Sequence, residues 1–316
     1  MNTGTVSSTV VPQQSSRSRT RVRRILVTVG VVLAVILVVV YFGVSAYSVD
    51  QLSRPARNPA AHTPAEYGLK YEDVQFNTAV DNIPLKGWFI DSAGSKTIIM
   101  LHGRDYSREA NGGLEKAAVL AGHGYDVLMF DFRAHGTSGG ERYALGAWET
   151  RDVTGALDYL KTRGINTVGI YGISMGAATA IMAAAEHPEI EAIVSESAYS
   201  DLSTLIDEVF PERSGLPAFF NPGVQSMARL FFGMDFSKAS PAAALKAMGD
   251  RPILLIHSTA DDFVAVSHAY RLQEAGASDP NMEVWIVPDA AHCEAFSTYK
   301  AEYTQRMLAF YDKYVK

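Results

Sequence analysis

Thiols are nearly absent from this chain: Cys293 is the only cysteine in 316 residues. That excludes an intramolecular disulfide and a cysteine-based metal site. It does not fix the compartment, because a chain with a full core persists outside the cell without disulfides. A surplus of basic charge is missing as well. The formal net charge is −6 and the basic residues do not cluster in the body of the chain, which argues against a nucleic-acid partner. No internal repeat is present. One stretch, residues 25–47, has no charged side chain at all.

That uncharged stretch is dominated by Val, Ile and Leu. About 20 apolar residues suffice for a helix to cross the hydrocarbon core. Arg17, Arg19, Arg21, Arg23 and Arg24 precede it, whereas only Arg54 and Arg57 follow closely. Val44-Ser45-Ala46 offers the small residues of a signal-peptide cleavage site, but a secretory apolar region of 7 to 15 residues is shorter than this one. The expectation is therefore a disordered basic tail over 1–24 and an uncleaved transmembrane signal anchor over 25–47. The excess of basic charge places the N-terminus in the cytoplasm and the body on the extracytoplasmic side. Residues 48–66 carry Pro55, Pro59 and Pro64 and read as a linker holding the body off the membrane.

The remaining 250 or so residues, 67–316, are enough for one large α/β domain. Residues 71–78 and 83–90 alternate apolar and polar and are bridged by Asp81-Asn82, the pattern of a hairpin. Residues 96–101 form a continuous apolar run, as in a strand covered on both faces. Strands at 125–130, 167–171, 190–194, 252–256 and 282–287 then alternate with helical stretches at 109–122, 145–163, 175–186, 267–273 and 298–314. This alternation implies a mostly parallel sheet with helices on both faces. It breaks at 199–248, a cap-like insertion rich in aromatics around Phe219, Phe220, Phe231 and Phe232.

Gly172-Ile173-Ser174-Met175-Gly176 closes one strand and opens an alanine-rich helix. A serine in that tight turn has its Oγ pushed outward, as in a nucleophile elbow. Side chains at Gly172 and Gly176 would clash with the turn or keep the helix off the sheet. In such sheets the site forms at the carboxyl ends of the strands. A serine hydroxyl needs a base, and of eight histidines His292 alone follows the last strand, where a base reaching the elbow belongs. His102 and His135 lie in turns after earlier strands and read as structural. Asp261, after strand 252–256, is the expected acid orienting His292, with Glu196 as the alternative acid. The backbone N–H groups of Met175 and Arg104 are the expected oxyanion donors, Gly103 permitting the sharp turn that aims the second.

These residues resemble the α/β-hydrolase superfamily, and within it the membrane-anchored serine hydrolases related to monoglyceride lipase and serine aminopeptidases. The resemblance rests on the His102-Gly103 turn, Asp131-Phe132-Arg133-Ala134-His135-Gly136-Thr137-Ser138, the elbow, the acid loop 257–264 and His292. It runs from about residue 67 to the C-terminus. Ser258, Ala265 and Ala290-Ala291 stand where the family usually has glycine, proline and glycine. The resemblance implies an eight-stranded sheet and a serine hydrolase cleaving an ester, thioester or amide through an acyl-Ser174 intermediate. No cofactor and no metal are implied. The partners expected are a small-molecule or lipid-like acyl substrate and the membrane, with no nucleic acid; protein partners are left open. A catalytically silent binding or scaffold module on the same fold is the alternative, and loss of a triad residue would mark it. Aminopeptidase activity would require an acidic cluster for the substrate amine, with Glu196 and Asp201 as candidates.

Overall fold

The computed structural model describes residues 1, 4–5 and 16–316. Its centre is a sheet whose strands send alternate residues to opposite faces. In strand β3 (Lys96–Leu101), Ile99 and Leu101 enter one core cluster while Ile98 and Met100 enter the other. In β4 (Tyr125–Phe130), Leu128 and Phe130 part from Val127 and Met129 in the same way. Both faces are covered, which is why these strands read as unbroken apolar runs.

Chain order runs from α1 (Ser16–Leu52) to the hairpin β1 (Tyr71–Asn77) and β2 (Pro84–Ile90), then β3, α2 (Gly113–Gly122) and β4. Next come α3 (Thr150–Thr162), β5 (Val168–Ile173), α4 (Met175–Glu186) and β6 (Ile190–Glu196). Helices α5 (Leu202–Ser214), α6 (Asn221–Phe232) and α7 (Pro241–Met248) follow. The chain finishes with β7 (Ile253–Ser258), α8 (Ser267–Ala275), β8 (Met282–Val287), the single turn α9 (Ala295–Thr298) and α10 (Lys300–Tyr314). The eight strands lie in the order β1-β2-β4-β3-β5-β6-β7-β8. β1, β2 and β4 pair antiparallel, and every other pair is parallel. The expected fold class, an eight-stranded α/β-hydrolase sheet with one apolar N-terminal helix, is the one found.

This order creates the site. From β3 the chain crosses one way to β4, then returns over β3 to β5 and proceeds the other way. β3 and β5 are therefore neighbours, with Leu101 opposite Gly172, and a crevice opens beyond their carboxyl ends at that reversal. β7 and β8 are also neighbours, Ser258 opposite Val287, so the loops that follow them meet.

The N-terminal boundaries differ from expectation. One helix runs from Ser16 to Leu52, so residues 16–24 of the expected tail are helical; residues 2–3 and 6–15 of that tail lie outside the described residues. The helix also overruns the expected anchor. No proline occurs between residues 13 and 54 to stop it, and Arg54 pairs with Asp50 one turn back at 3.2 Å. The linker does not stand free either. Arg57 donates to the Ser138 carbonyl at 2.7 Å, and the Ala61 and His62 N–H groups donate to the Glu109 carboxylate at 2.6 and 2.8 Å. Residues 53–63 are a strap fastened to the body. The cap is also smaller than 199–248, because α7 packs against α4 and α8 as a covering helix of the sheet.

Candidate active site

Ser174 stands between β5 and α4 with φ 54° and ψ −118°, a left-handed backbone that a non-glycine residue adopts only where its surroundings impose it. Those surroundings are the two glycines of the elbow. A Cβ on Gly172 would lie 2.3 Å from the Gly176 carbonyl oxygen, and one on Gly176 would lie 2.5 Å from that of Leu101. All of α4 from Met175 to Ala184 is buried, and its small side chains let it lie close on the sheet.

The Ser174 Oγ is 2.8 Å from His292 Nε2. On the other side of the ring, His292 Nδ1 is 2.9 and 2.8 Å from the two Asp261 oxygens. Asp261 Oδ1 also accepts the Phe263 and Val264 N–H groups at 3.0 and 2.8 Å. Burial alone would raise this carboxyl. The hydrogen bond and charge of His292, the Val264 N–H and nearby His257 outweigh it and hold Asp261 below the ordinary carboxylate range. Ser258, in place of the family's glycine, has a use: its Oγ accepts N–H bonds from Ala260 at 3.1 Å and from Ala290 at 3.2 Å. It ties the acid loop to the histidine loop.

Glu196 is not beside His292. It is fully buried at the end of β6, where its carboxylate accepts the hydroxyls of Tyr171 at 2.8 Å and Tyr303 at 2.6 Å and the Ala295 N–H at 3.2 Å. Those three donors turn it towards α10 and remove it as the alternative acid. Asp201 accepts from Ser240 Oγ, so these two carboxylates form no cluster for an amine.

The loop after β3 lies against the nucleophile: a Cβ on Gly103 would sit 3.4 Å from Ser174 Cβ. A side chain there would make only an ordinary contact, so the approach itself does not require glycine. The turn itself falls at Asp105, φ 60°, and not at Gly103 as expected. Met175 occupies the first turn of α4, where backbone N–H groups have no partner within the helix. His102 fixes the loop from beneath. Its Nδ1–H donates to the Gly103 carbonyl at 2.7 Å and its Nε2 accepts the Phe132 N–H at 2.9 Å, so the buried ring is neutral and its pKa falls to about 4 through burial.

Two cavities meet at Ser174. One, of about 560 Å³, is apolar and lined by Leu202, Leu205, Ile206, Val209 and Phe210 of α5. Their i, i+3, i+4 spacing is one helical face. The other, of about 510 Å³, is bordered by Asn58, Arg104, Asp105, Tyr106 and Arg213 together with His292. The aromatics Phe219, Phe220, Phe231 and Phe232 of the insertion, which the sequence leaves open to ordinary packing, a pocket lining or the membrane surface, line neither cavity; Phe219, Leu230 and Phe231 face outward. Sequence reasoning missed that α1 reaches the apolar cavity through Val44, Tyr47, Ser48, Gln51 and Leu52. The polar residues Ser45, Ser48 and Gln51 ending an otherwise apolar run were the available signal. Cys293 borders the second cavity, but burial pushes its pKa up and keeps it a thiol. Among the described residues no group of three or more His, Cys, Asp or Glu side chains is arranged to hold a metal ion.

This architecture has known counterparts. The sequence profile of the prolyl oligopeptidase family (Peptidase_S9) matches residues 114–316. The esterase Pf2001 of Pyrococcus furiosus superposes with a TM-score of 0.71 at 29% identity, over 84% of this chain and 98% of that one. The uncharacterized protein YqkD of Bacillus subtilis is 27% identical over 221 residues, 68% of this chain and 71% of its own length. The lysophosphatidylserine lipase ABHD12 of Gallus gallus is 34% identical over 123 residues, 36% of this chain and 32% of that protein. The matches thus span a third to a half of the ABHD12 lipases. An elbow serine at the sheet reversal, the matched profile and an esterase sharing the whole body converge: the chain belongs to the prolyl oligopeptidase family and is a serine hydrolase of the α/β-hydrolase fold.

Proposed function

We propose that the protein is a membrane-anchored esterase that cleaves a single-chain acyl ester through an acyl-Ser174 intermediate. The observation that carries this is the unbroken line Ser174 Oγ, His292, Asp261 at the junction of an apolar and a polar cavity. The acyl chain occupies the apolar cavity, whose volume suits a small-molecule ligand. The alcohol occupies the polar one. His292 takes the Ser174 proton as Oγ attacks the carbonyl carbon, then gives it to the departing alcohol oxygen; water repeats the sequence to release the acid. Asp261 holds the ring in the Nδ1–H tautomer and offsets the charge of the imidazolium. The Met175 and Arg104 N–H groups receive the tetrahedral oxyanion, aided by the dipole of α4.

The lipase and esterase relatives favour an ester while the family profile is that of a peptidase, and the site supports the ester. The apolar cavity has no carboxylate among its lining residues, and Asp105 in the polar one already pairs with Arg104 at 2.8 Å. Neither is free to hold a substrate amine. The apolar helix α1 fits a membrane anchor, and the arginines in its first turns favour a body on the extracytoplasmic side.

The test is fluorophosphonate labelling and p-nitrophenyl ester hydrolysis by the full chain in detergent. Labelling vanishes in Ser174→Ala, and turnover falls by about four orders of magnitude in Asp261→Asn, whose amide favours the wrong tautomer. Near-normal hydrolysis by Ser174→Ala or His292→Ala sinks the mechanism.

A further inference from the structure

A membrane anchor has no reason to touch an active site, yet α1 does. Its residues 19–40 lie outside the fold and are exposed throughout, and from Tyr41 on the last three turns enter the body. They are bolted at two levels. At the upper level Tyr41 donates its hydroxyl to the Phe219 carbonyl at 3.0 Å and stacks on Phe219 and Phe220 with ring centroids 5.8 and 5.2 Å apart. Here α1 crosses α6 so closely that a Cβ on Gly223 would lie 2.4 Å from Ser45 Oγ. At the lower level Arg142 pairs with Asp50 and donates to Ser53 Oγ at 2.7 Å, and the Tyr143 N–H donates to the Ser53 carbonyl at 3.0 Å.

Between the bolts, Val44, Tyr47, Ser48, Gln51 and Leu52 all border the apolar cavity. Their spacing i, i+3, i+4, i+7, i+8 is one continuous helical face. It confronts the equivalent stripe of α5, so the cavity has two helical walls and one of them belongs to the anchor. The wall is about 12 Å long from Leu52 to Val44 at 1.5 Å per residue.

The position of the bilayer follows from length. Counting about 20 residues from Ile25, the first residue after the arginines, brings the far edge of the hydrocarbon core to about Val44. The upper end of the cavity wall and the edge of the bilayer therefore coincide. Tyr41, Phe219 and Phe220 stack together just before that edge and Tyr47 lies about 9 Å further along α1, just beyond it, so aromatic side chains bracket the interface. Phe219 is 61% exposed, as are Leu230 at 72% and Phe231 at 74% on α6 beside it; a lipid surface is the occupant that an apolar helix continuous with them supplies.

We propose that the last three turns of α1 are a fixed wall of the acyl cavity, and that the cavity opens beside Val44 into the bilayer interface. The substrate is then a single-chain acyl lipid drawn from the leaflet that holds α1. Val44, Tyr47 and Ser48 set the acyl length accepted. This rests on the esterase reading of Ser174.

The experiment uses the full chain in phospholipid vesicles, with p-nitrophenyl butyrate and p-nitrophenyl palmitate as probes. Ser48→Trp fills the cavity, and the ratio of kcat/KM for palmitate over butyrate falls at least tenfold. Val35→Leu, outside the fold, leaves that ratio within twofold. Tyr47→Ala, a change at an exposed side chain, widens the entrance and moves the preferred chain length up by at least two carbons. Palmitate ester in the enzyme's own vesicles is hydrolysed at least tenfold faster than the same ester in separate vesicles. An unchanged ratio in Ser48→Trp that still labels with fluorophosphonate, together with an unchanged optimum in Tyr47→Ala, overturns the wall. Equal rates from the two vesicle populations overturn entry from the bilayer. Hydrolysis surviving Ser174→Ala instead overturns the mechanism while leaving these ratios to judge the wall separately.

Discussion

At the scale of single residues, Ser258 shows how a departure from a family pattern is absorbed. Its side chain closes two backbone N–H bonds that a glycine leaves to other partners, one of them from the buried Ala290. Leaving a buried donor unmatched costs about 1–3 kcal/mol. Ser258→Ala is expected to lower the unfolding free energy by that amount. Because the same oxygen ties the Asp261 loop to the His292 loop, kcat drops several-fold with little change in KM. Unaltered kcat beside lowered stability would reduce Ser258 to a purely structural role. The triad candidates themselves were legible in the sequence because each follows a strand end and the chemistry restricts the residue types. Glu196 could not be dismissed there. Its position at a strand end is as good as that of Asp261, and only the hydroxyls of Tyr171 and Tyr303, reached from β5 and α10, reveal that it is already engaged.

At the scale of elements, strands covered on both faces announced themselves, and β4, α4 and β8 were expected within the bounds observed. Helix starts were less legible: α2 and α3 begin at Gly113 and Thr150, several residues after the apolar periodicity does. The stretch 109–112 is turn, closed by Asn111 and Gly112 at φ 53° and 69°, and Leu145 at φ 55° precedes α3 in the same way. The strap 53–63 was misread because its prolines reveal stiffness but not attachment. Glu109 supplies that attachment from a turn nearly 50 residues away, taking two N–H groups with one carboxylate. Glu109→Ala is therefore expected to free the strap: limited trypsinolysis after Arg57, the basic residue of this stretch not followed by proline, speeds up several-fold, while the melting temperature of the body moves by little. Cleavage at the wild-type rate would show that the Arg57 and Asn58 contacts suffice alone.

At the scale of the whole molecule, acid is the condition to which this fold is built to respond, because it buries neutral histidines. His102 and His135 have pKa values pulled down to about 4 and about 3, in both cases mainly by burial. An unfolded histidine titrates near 6.5. Between that value and 4 the unfolded chain binds a proton at residue 102 that the folded chain refuses, so stability rises with pH across this window and is lost as pH falls through it. Above 6.5 neither state is protonated and the contribution is complete; below 4 both are, and no further loss comes from His102. The sign agrees with the geometry, since a proton on Nε2 would face the Phe132 N–H that this nitrogen now accepts. Asp261, held below its ordinary range, keeps its contribution until pH falls below the carboxylate values, outside the window. Asp152 works in the opposite direction, burial pushing its carboxyl up to about 7 beside Arg133, so total stability mixes terms of both signs. A comparison with His102→Gln isolates the one of interest: the amide retains an acceptor and a donor but has no proton to gain. Chemical unfolding of the full chain, followed by tryptophan fluorescence at pH 7.5 and 4.5, should show wild type losing on the order of 2–3 kcal/mol more than the variant over that interval. The comparison reads a difference of slopes, so a variant that is less stable at both pH values still answers. Equal losses in the two proteins would mean that His102 takes up its proton as readily in the fold as in the unfolded chain, and that the loop bearing the Arg104 N–H does not depend on a neutral ring.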